Sequence, residues 1–311
     1  MNRIGGKGSA ASALRFGVLT IQDLPWPALA GQWRTVEALG FDSLWIADHF
    51  ADPFRPATDW LDGWTLLAAL AGCTTRIRIG TLVTNFIYRN PALIAKQAVT
   101  VDHLSGGRLN LGLGATTPID PSHAMTGAPV WGAPERIRRF REVVEIVDRL
   151  LRGGPVDYAG RYYQVAGAHL HPPPVQQPRP PLTIAAAGKT ALAIAARFGD
   201  AWNACPGEGL APPAAFELLR RQSAQLDEAC AAIGRNPSEI VRSILVGFTA
   251  DEPLASIGAF RDFVGRYAEI GFSEFIFYYD RPGMAPEKHL TPRMAERLAA
   301  DVLPGLRRPN S

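Results

Sequence analysis

Cysteine is scarce in this chain. Cys73, Cys205 and Cys230 are the only three in 311 residues. They are far apart and odd in number, so they offer neither a disulfide framework nor metal-ligand spacing. The histidines form no H-x-x-x-H or H-E-x-x-H pattern, and no metal site is expected. Long apolar runs are missing too: none reaches the roughly 18 residues that span a bilayer, so no membrane partner is expected. The opening MNRIGGKGSAASA is positively charged but has no apolar stretch after it. It reads as a disordered lead-in over residues 1–13 rather than a secretory signal, which makes the cytoplasm the expected location. There is no basic stripe either. Net charge is +3, and the densest cluster, Arg136, Arg138, Arg139 and Arg141, is interleaved with Glu135, Glu142 and Glu145. On a helix that mixture is a solvated face, not a nucleic-acid surface.

What the chain has in abundance is alternation. Short apolar runs predict strands at Leu14–Thr20, Phe41–Ala47, Arg76–Thr84, Arg108–Gly114, Leu182–Ala187, Ala201–Ala204, Ile240–Phe248 and Glu274–Tyr279. Segments with helical spacing follow each of them; the clearest, Pro134–Leu151, repeats apolar residues every three or four positions. Alternating β and α units need crossover connections and hence a parallel sheet. Eight such units suit a closed (β/α)8 TIM barrel, class α/β, better than an open sheet. Val156–Val165 reads as a hairpin and His171–Pro181 as a stiff proline-rich connector. Residues 155–181 are therefore expected to be an insertion between the fourth and fifth units of one domain covering 14–311.

In such a barrel, chemistry sits where the strands end. That rule selects Asp48 and His49 after strand two as catalytic candidates, since an imidazole can donate or accept a proton near neutrality. A blander reading has Asp48 tying down a loop and His49 packing under a lid. The strand-to-helix turn Ala186, Ala187, Gly188 and Lys189 can present free N–H groups to a phosphate, or can be a tight turn with a surface lysine. Gly112-Leu113-Gly114 lacks a third glycine and is no dinucleotide fingerprint. His123 and His289 lie in polar or proline-rich segments and are expected to be solvated. Phe54, Trp60 and Phe86 suggest an aromatic mouth for a small hydrophobic organic molecule.

Several longer stretches carry a resemblance. SLWIADHF at 43–50, RIRIGTLVTNFIYRNPALIAKQAVTVDHLSGGRLNLGLGA at 76–115, GRYYQV at 160–165 and PPPVQQPRPPLTIAAAG at 172–188 are similar to the luciferase-like monooxygenase superfamily. The resemblance implies a barrel binding either the deazaflavin F420 or reduced FMN, with the deazaflavin branch the better match. By position, His49 would face the cofactor ring and Thr84 and Asn85 would lie beside it, where some members have a non-proline cis peptide. Asp120 would lie near the ribityl chain, and Ala186 to Lys189 would hold the phosphate. Members commonly form homodimers. This chain departs from the deazaflavin-dependent sugar-phosphate dehydrogenases in having Thr117 where they place a carboxylate proton donor. It also has Pro53-Phe54 where they carry a tryptophan. Both departures argue against a sugar phosphate. A barrel that binds the cofactor without turnover is the alternative from another class.

Overall fold

The computed structural model describes residues 13–307, so residues 1–12 of the expected lead-in lie outside the described residues. The strands are β1 (Arg15–Thr20), β2 (Ser43–Ile46), β3 (Arg78–Thr81), β4 (Thr84–Asn85), β5 (Leu109–Gly114), β6 (Val156–Ala159), β7 (Gln164–Ala168), β8 (Leu182–Ala185), β9 (Ala201–Ala204), β10 (Val241–Val246) and β11 (Phe272–Tyr279). The helices are α1 (Trp26–Ala38), α2 (Gly63–Cys73), α3 (Pro91–Leu104), α4 (Ser122–Thr126), α5 (Ala133–Arg152), α6 (Lys189–Phe198), α7 (Pro212–Ala231), α8 (Ile257–Ala268), α9 (Pro292–Asp301) and α10 (Leu303–Leu306). Parallel pairing runs β3-β2-β1-β11-β10-β9-β8-β5, and a β3–β5 ladder closes the ring. The result is the expected eight-stave barrel. β6 and β7 stand apart as an antiparallel pair.

Local chemistry explains where elements start and stop. Pro91 opens α3, where its missing N–H costs nothing, and the Asn90 side chain accepts the Ala92 N–H. The Arg108 guanidinium closes α2 by donating to the carbonyls of Ala71 and Thr74, both at 2.9 Å. On α5, Phe140, Val143, Val144, Val147, Leu150 and Leu151 all face inward and are buried. The β6–β7 hairpin is pinned to the opposite face of that helix. Glu142 accepts the N–H groups of Arg161, Tyr162 and Tyr163, and Arg139 lies between the rings of Trp131 and Tyr162.

Two apolar clusters result. The larger fills the space between staves and helices, and a smaller one, Leu19, Ile21, Trp45, Leu82, Leu245, Ile276 and Tyr278, fills the lumen.

Two expectations need adjustment. The third strand is not continuous: β3 ends at Thr81, the Leu82–Val83 peptide is cis, and the stave resumes as β4. At the break side chains replace ladder bonds, with Thr81 Oγ1 donating to the Gly112 carbonyl at 3.2 Å and paired with Thr84 Oγ1 at 2.7 Å. The hairpin also runs on to Ala168, beyond the expected end at Val165.

β5 passes this break very closely. A Cβ on Gly112 would sit 1.9 Å from the Thr81 carbonyl oxygen, and one on Gly114 would sit 2.3 Å from Val83 Cγ2. Gly112→Ala should therefore destabilise the protein by about 1–3 kcal/mol or more, because the obstruction is backbone. Gly31→Ala, mid-helix in α1 with nothing within 4 Å of its Cβ position, should stabilise it by about 0.4–1 kcal/mol. Urea denaturation of the two variants beside the wild type checks both signs.

Candidate active site at the barrel mouth

The chain leaving β2 delivers Asp48 and His49, and the structure gives these neighbours different partners. Asp48 is buried, at 2% exposure. Its carboxylate receives the Arg89 guanidinium on both oxygens, at 2.6 and 3.1 Å, and the Asn85 N–H at 2.9 Å. Burial pushes the Asp48 carboxyl above its usual range, opposed by Arg89 and the Asn85 N–H. With its oxygens engaged, Asp48 fastens the end of β2 to the β4–α3 connection. The expectation that it acts in catalysis is corrected on that ground.

His49 pairs instead with Asp120, 71 residues away, through Nδ1 and Oδ2 at 2.7 Å. The Asp120 side chain is fully buried while the imidazole is 28% exposed. Burial acts to raise the Asp120 pKa, but the hydrogen bond and charge of His49, together with Ser122, outweigh it and hold the carboxyl below its ordinary value. An ionised Asp120 accepts, so His49 donates from Nδ1. Nε2 then makes no hydrogen bond among the described residues and remains accessible at the mouth. Trp60 fixes the same residue from behind: its Nε1 donates to the His49 carbonyl at 2.8 Å and its ring meets the imidazole edge-on.

The loop after β5 that delivers Asp120 carries signs of a functional surface. Thr116 adopts φ +53°, a conformation L side chains rarely take, and its buried hydroxyl is unpaired. The Tyr88 hydroxyl is likewise buried and unpaired, and burial pushes its pKa up to about 12, which keeps it a neutral donor. Ser122, at the start of α4, supports both sides. Its N–H donates to Asp120 Oδ1 and its Oγ accepts the Phe50 N–H. Arg89 and Ser122 were not singled out from sequence, because nothing in local spacing marks a residue whose partner lies on another stave; Tyr88 reads from sequence only as one more aromatic of the mouth, beside Phe54, Trp60 and Phe86.

The remaining candidates divide. Thr84 is fully buried against Thr81, and Asn85 caps the short turn after β4 by accepting the Ile87 N–H. Ala187, Gly188 and Lys189 are exposed at the start of α6, which has no side-chain cap. Behind them Trp202 Nε1 donates to the Ala186 carbonyl and Gln222 Nε2 to that of Ala187, both at 2.8 Å. These bonds tie the carbonyls inward and leave the first N–H groups of α6 unclaimed. Gly188 itself has φ −97° and open space around its Cβ position, so the turn does not need positive φ. Phe54 is 54% exposed at the mouth. Phe86 is corrected: at 2% exposure it stacks on Trp131 and packs against Phe140 in the main core, away from the cleft that Phe54 lines. His123 and His289 are buried rather than solvated. His123 bonds the Thr117 carbonyl, and His289 Nδ1 accepts the Arg281 N–H.

Comparison with known proteins places the chain in a family and matches its fold. The luciferase-like monooxygenase family model matches residues 4–281. An F420-dependent glucose-6-phosphate dehydrogenase of Amycolatopsis mediterranei is 34% identical over 178 residues, 56% of this chain; the chain spans only 52% of that relative's length. A protein of the same name from Nocardia farcinica is 29% identical over 303 residues, 96% of this chain and 80% of its own. Among solved structures, an F420-dependent secondary alcohol dehydrogenase in complex with an F420-acetone adduct superposes with a TM-score of 0.78 at 18% identity, covering 95% of this chain and all of its own. That likeness bears on the fold.

The Asp120 pair has a consequence for stability. Its folded-state pKa is lowered, so its contribution is present above the unfolded value of about 4 and is lost as pH falls through the folded value. Asp120→Asn should be less stable than wild type at about pH 6, and the gap should close as pH falls below about 4. Urea midpoints across that range measure it; a constant gap would mean that the carboxylate does not couple to folding.

Proposed function

The chain belongs to the luciferase-like monooxygenase family, and from that premise we infer that it is a deazaflavin-dependent oxidoreductase, passing hydride between F420 and a small organic substrate. The observation that carries this is the His49–Asp120 pair, which holds an imidazole by Nδ1 at the strand ends and leaves Nε2 open.

The residues present fit such a cofactor. The uncapped start of α6, with the carbonyls of Ala186 and Ala187 tied back, would hold a phosphate through the N–H groups at Gly188 and Lys189. The lumen cluster, topped by Val83 and Trp60, would give the ring an apolar floor beside Thr84 and Asn85. When bound, the deazaflavin supplies a two-electron hydride carrier that does not need dioxygen.

The work left to the protein is the proton. An alcohol that loses hydride from carbon must also lose its hydroxyl proton, and His49 Nε2 takes it while Nδ1–H stays on Asp120. The buried carboxylate stabilises the imidazolium so formed, and in the reverse direction the same nitrogen returns the proton. Asp48 acts only through position, holding the backbone from which His49 projects. The names of the Amycolatopsis and Nocardia relatives and of the alcohol dehydrogenase structure support the deazaflavin over FMN.

Titration of the purified protein with F420 and with FMN tests the cofactor, with the deazaflavin expected to bind more tightly. Tight FMN binding with oxygen uptake on reduction would replace this reading by monooxygenation. His49→Gln keeps size and hydrogen bonding but not the proton chemistry. In single-turnover hydride transfer with preloaded cofactor it should be slower by about 10²–10⁴-fold. An unchanged rate would reduce His49 to a positioning residue.

A further inference from the structure

Beyond His49, the mouth contains a second feature that the hydride-transfer reading does not use. Between the β2–α2 loop and the ends of β10 and β11 lies a cleft of about 510 Å³. Phe54, Phe248 and Met284 form its apolar side, and Arg281 and Lys288 its polar side, with Glu208 at the rim.

Arg281 is 6% exposed and has very few partners for a buried guanidinium. It lies between two aromatic rings, its Cζ 5.5 Å from the Phe54 centroid and 5.0 Å from that of Tyr278. Aromatic rings offer these N–H groups no carboxylate or carbonyl acceptor, so they must find partners elsewhere. Only Nη2 finds one among the described residues, a long 3.4 Å bond to Asp52. Nε and Nη1 make none there, and the side chain lines the cleft. Lys288 uses one of its hydrogens on the Thr249 carbonyl at 2.9 Å and has no carboxylate partner among the described residues.

Charge decides what fits. Asp52 is shared between Arg55 and Arg281, and Asp23 pairs with Arg55 alone. Lys288 forms no ion pair among the described residues, while Glu208 lines the cleft and Asp280 and Glu287 stand beside Arg281 and Lys288 in the chain. A monoanion meets less repulsion from these acids than a dianion does. The apolar side demands a hydrophobic body. Trp60, which touches His49, and Phe248 and Met284, which line the cleft, pack against the same lumen cluster. One apolar floor thus runs from the imidazole to the cations.

Resting on the oxidoreductase reading, we propose that the substrate is a hydrophobic monocarboxylate. Its carboxylate is held by the Arg281 edge and Lys288, and its apolar body lies across the lumen floor toward His49 Nε2. Arg281 offers a planar fork that matches a carboxylate, and Lys288 adds an unshared point charge. Asp52 positions Arg281, and Arg55, which shares that carboxylate, also lines the cleft.

The test uses direct binding, so it does not depend on turnover. 1-Naphthoate, 1-naphthamide and 1-naphthyl phosphate are titrated into the full-length protein, with and without F420, and followed by ligand fluorescence. Naphthoate should bind at least about 10-fold more tightly than the uncharged amide, the scale of a hydrogen-bonded charge, and more tightly than the phosphate. Lys288→Met and Arg281→Lys should each lose most of that preference while leaving amide binding and F420 affinity unchanged. Urea midpoints near the wild-type value would show that both variants are folded. Equal binding of naphthoate and amide, or a preference that survives both variants, overturns the proposal; a phosphate that binds most tightly overturns the monocarboxylate. A protein with the naphthoate preference but no affinity for F420 or FMN keeps the cleft and loses the oxidoreductase reading, so the two failures are distinguishable.

Discussion

The bidentate bond between Asp48 and Arg89 joins two staves of the barrel at the level where the mouth begins. Asp48 follows β2, Arg89 precedes α3, and the Asn85 N–H between them completes the carboxylate's set of donors. Both partners are largely buried, at 2% and 10% side-chain exposure. Removing one member of such a pair leaves the other charged without water or a partner, at a cost of about 3–5 kcal/mol. The orientation of His49 depends on this bond, since the residue follows Asp48 directly. So does the course of β4, whose first residue, Thr84, packs on the interrupted stave. The mouth is assembled outward from that carboxylate.

The buried acids Asp48, Asp120 and Asp52 near the mouth are each committed in a similar way. Asp48 belongs to Arg89, Asp120 to His49 and Ser122, and Asp52 to Arg55, Arg281 and two backbone N–H groups. An acid engaged on all sides is poorly suited to donate a proton to a substrate. The groups with unclaimed positions are Nε2 of His49, the edge of Arg281 and the ammonium of Lys288, and it is to these that the proposed chemistry is assigned. A proton-handling group proposed on the second stave accords with the lack of a carboxylate at Thr117 on the fourth.

The barrel was legible because burial of each strand depends on its own residues. Eight apolar runs separated by helical spacing leave little choice of architecture, and a turn such as Ser105-Gly106-Gly107 marks its own boundary. The site was less legible, for a matching reason. Position on a strand end located His49, but its partner could not be deduced from adjacency: Asp48 is next in sequence, whereas Asp120 is next in space. Aromatic residues misled for a related cause. Phe54 and Phe86 look alike in the chain, yet one faces solvent at the rim and the other fills the gap between a stave and α5. Which side of the wall a ring occupies depends on tertiary packing, such as that of Phe86 on Trp131 and Phe140, which local spacing does not show.

The crowded crossing of β5 past the break between β3 and β4 bears on how a protein of this kind can diverge. Where β5 slides past Thr81 and Val83, two positions have no room for any side chain at all, so drift there is closed to selection. The loops after β2, β10 and β11 are restricted only at single glycines such as Gly63 and Gly247; they carry Phe54, Phe248 and Arg281 on backbone that can otherwise lengthen or change composition. Lineages descended from a common ancestor would then keep one inner wall almost frozen and record their changes of diet on the opposite rim.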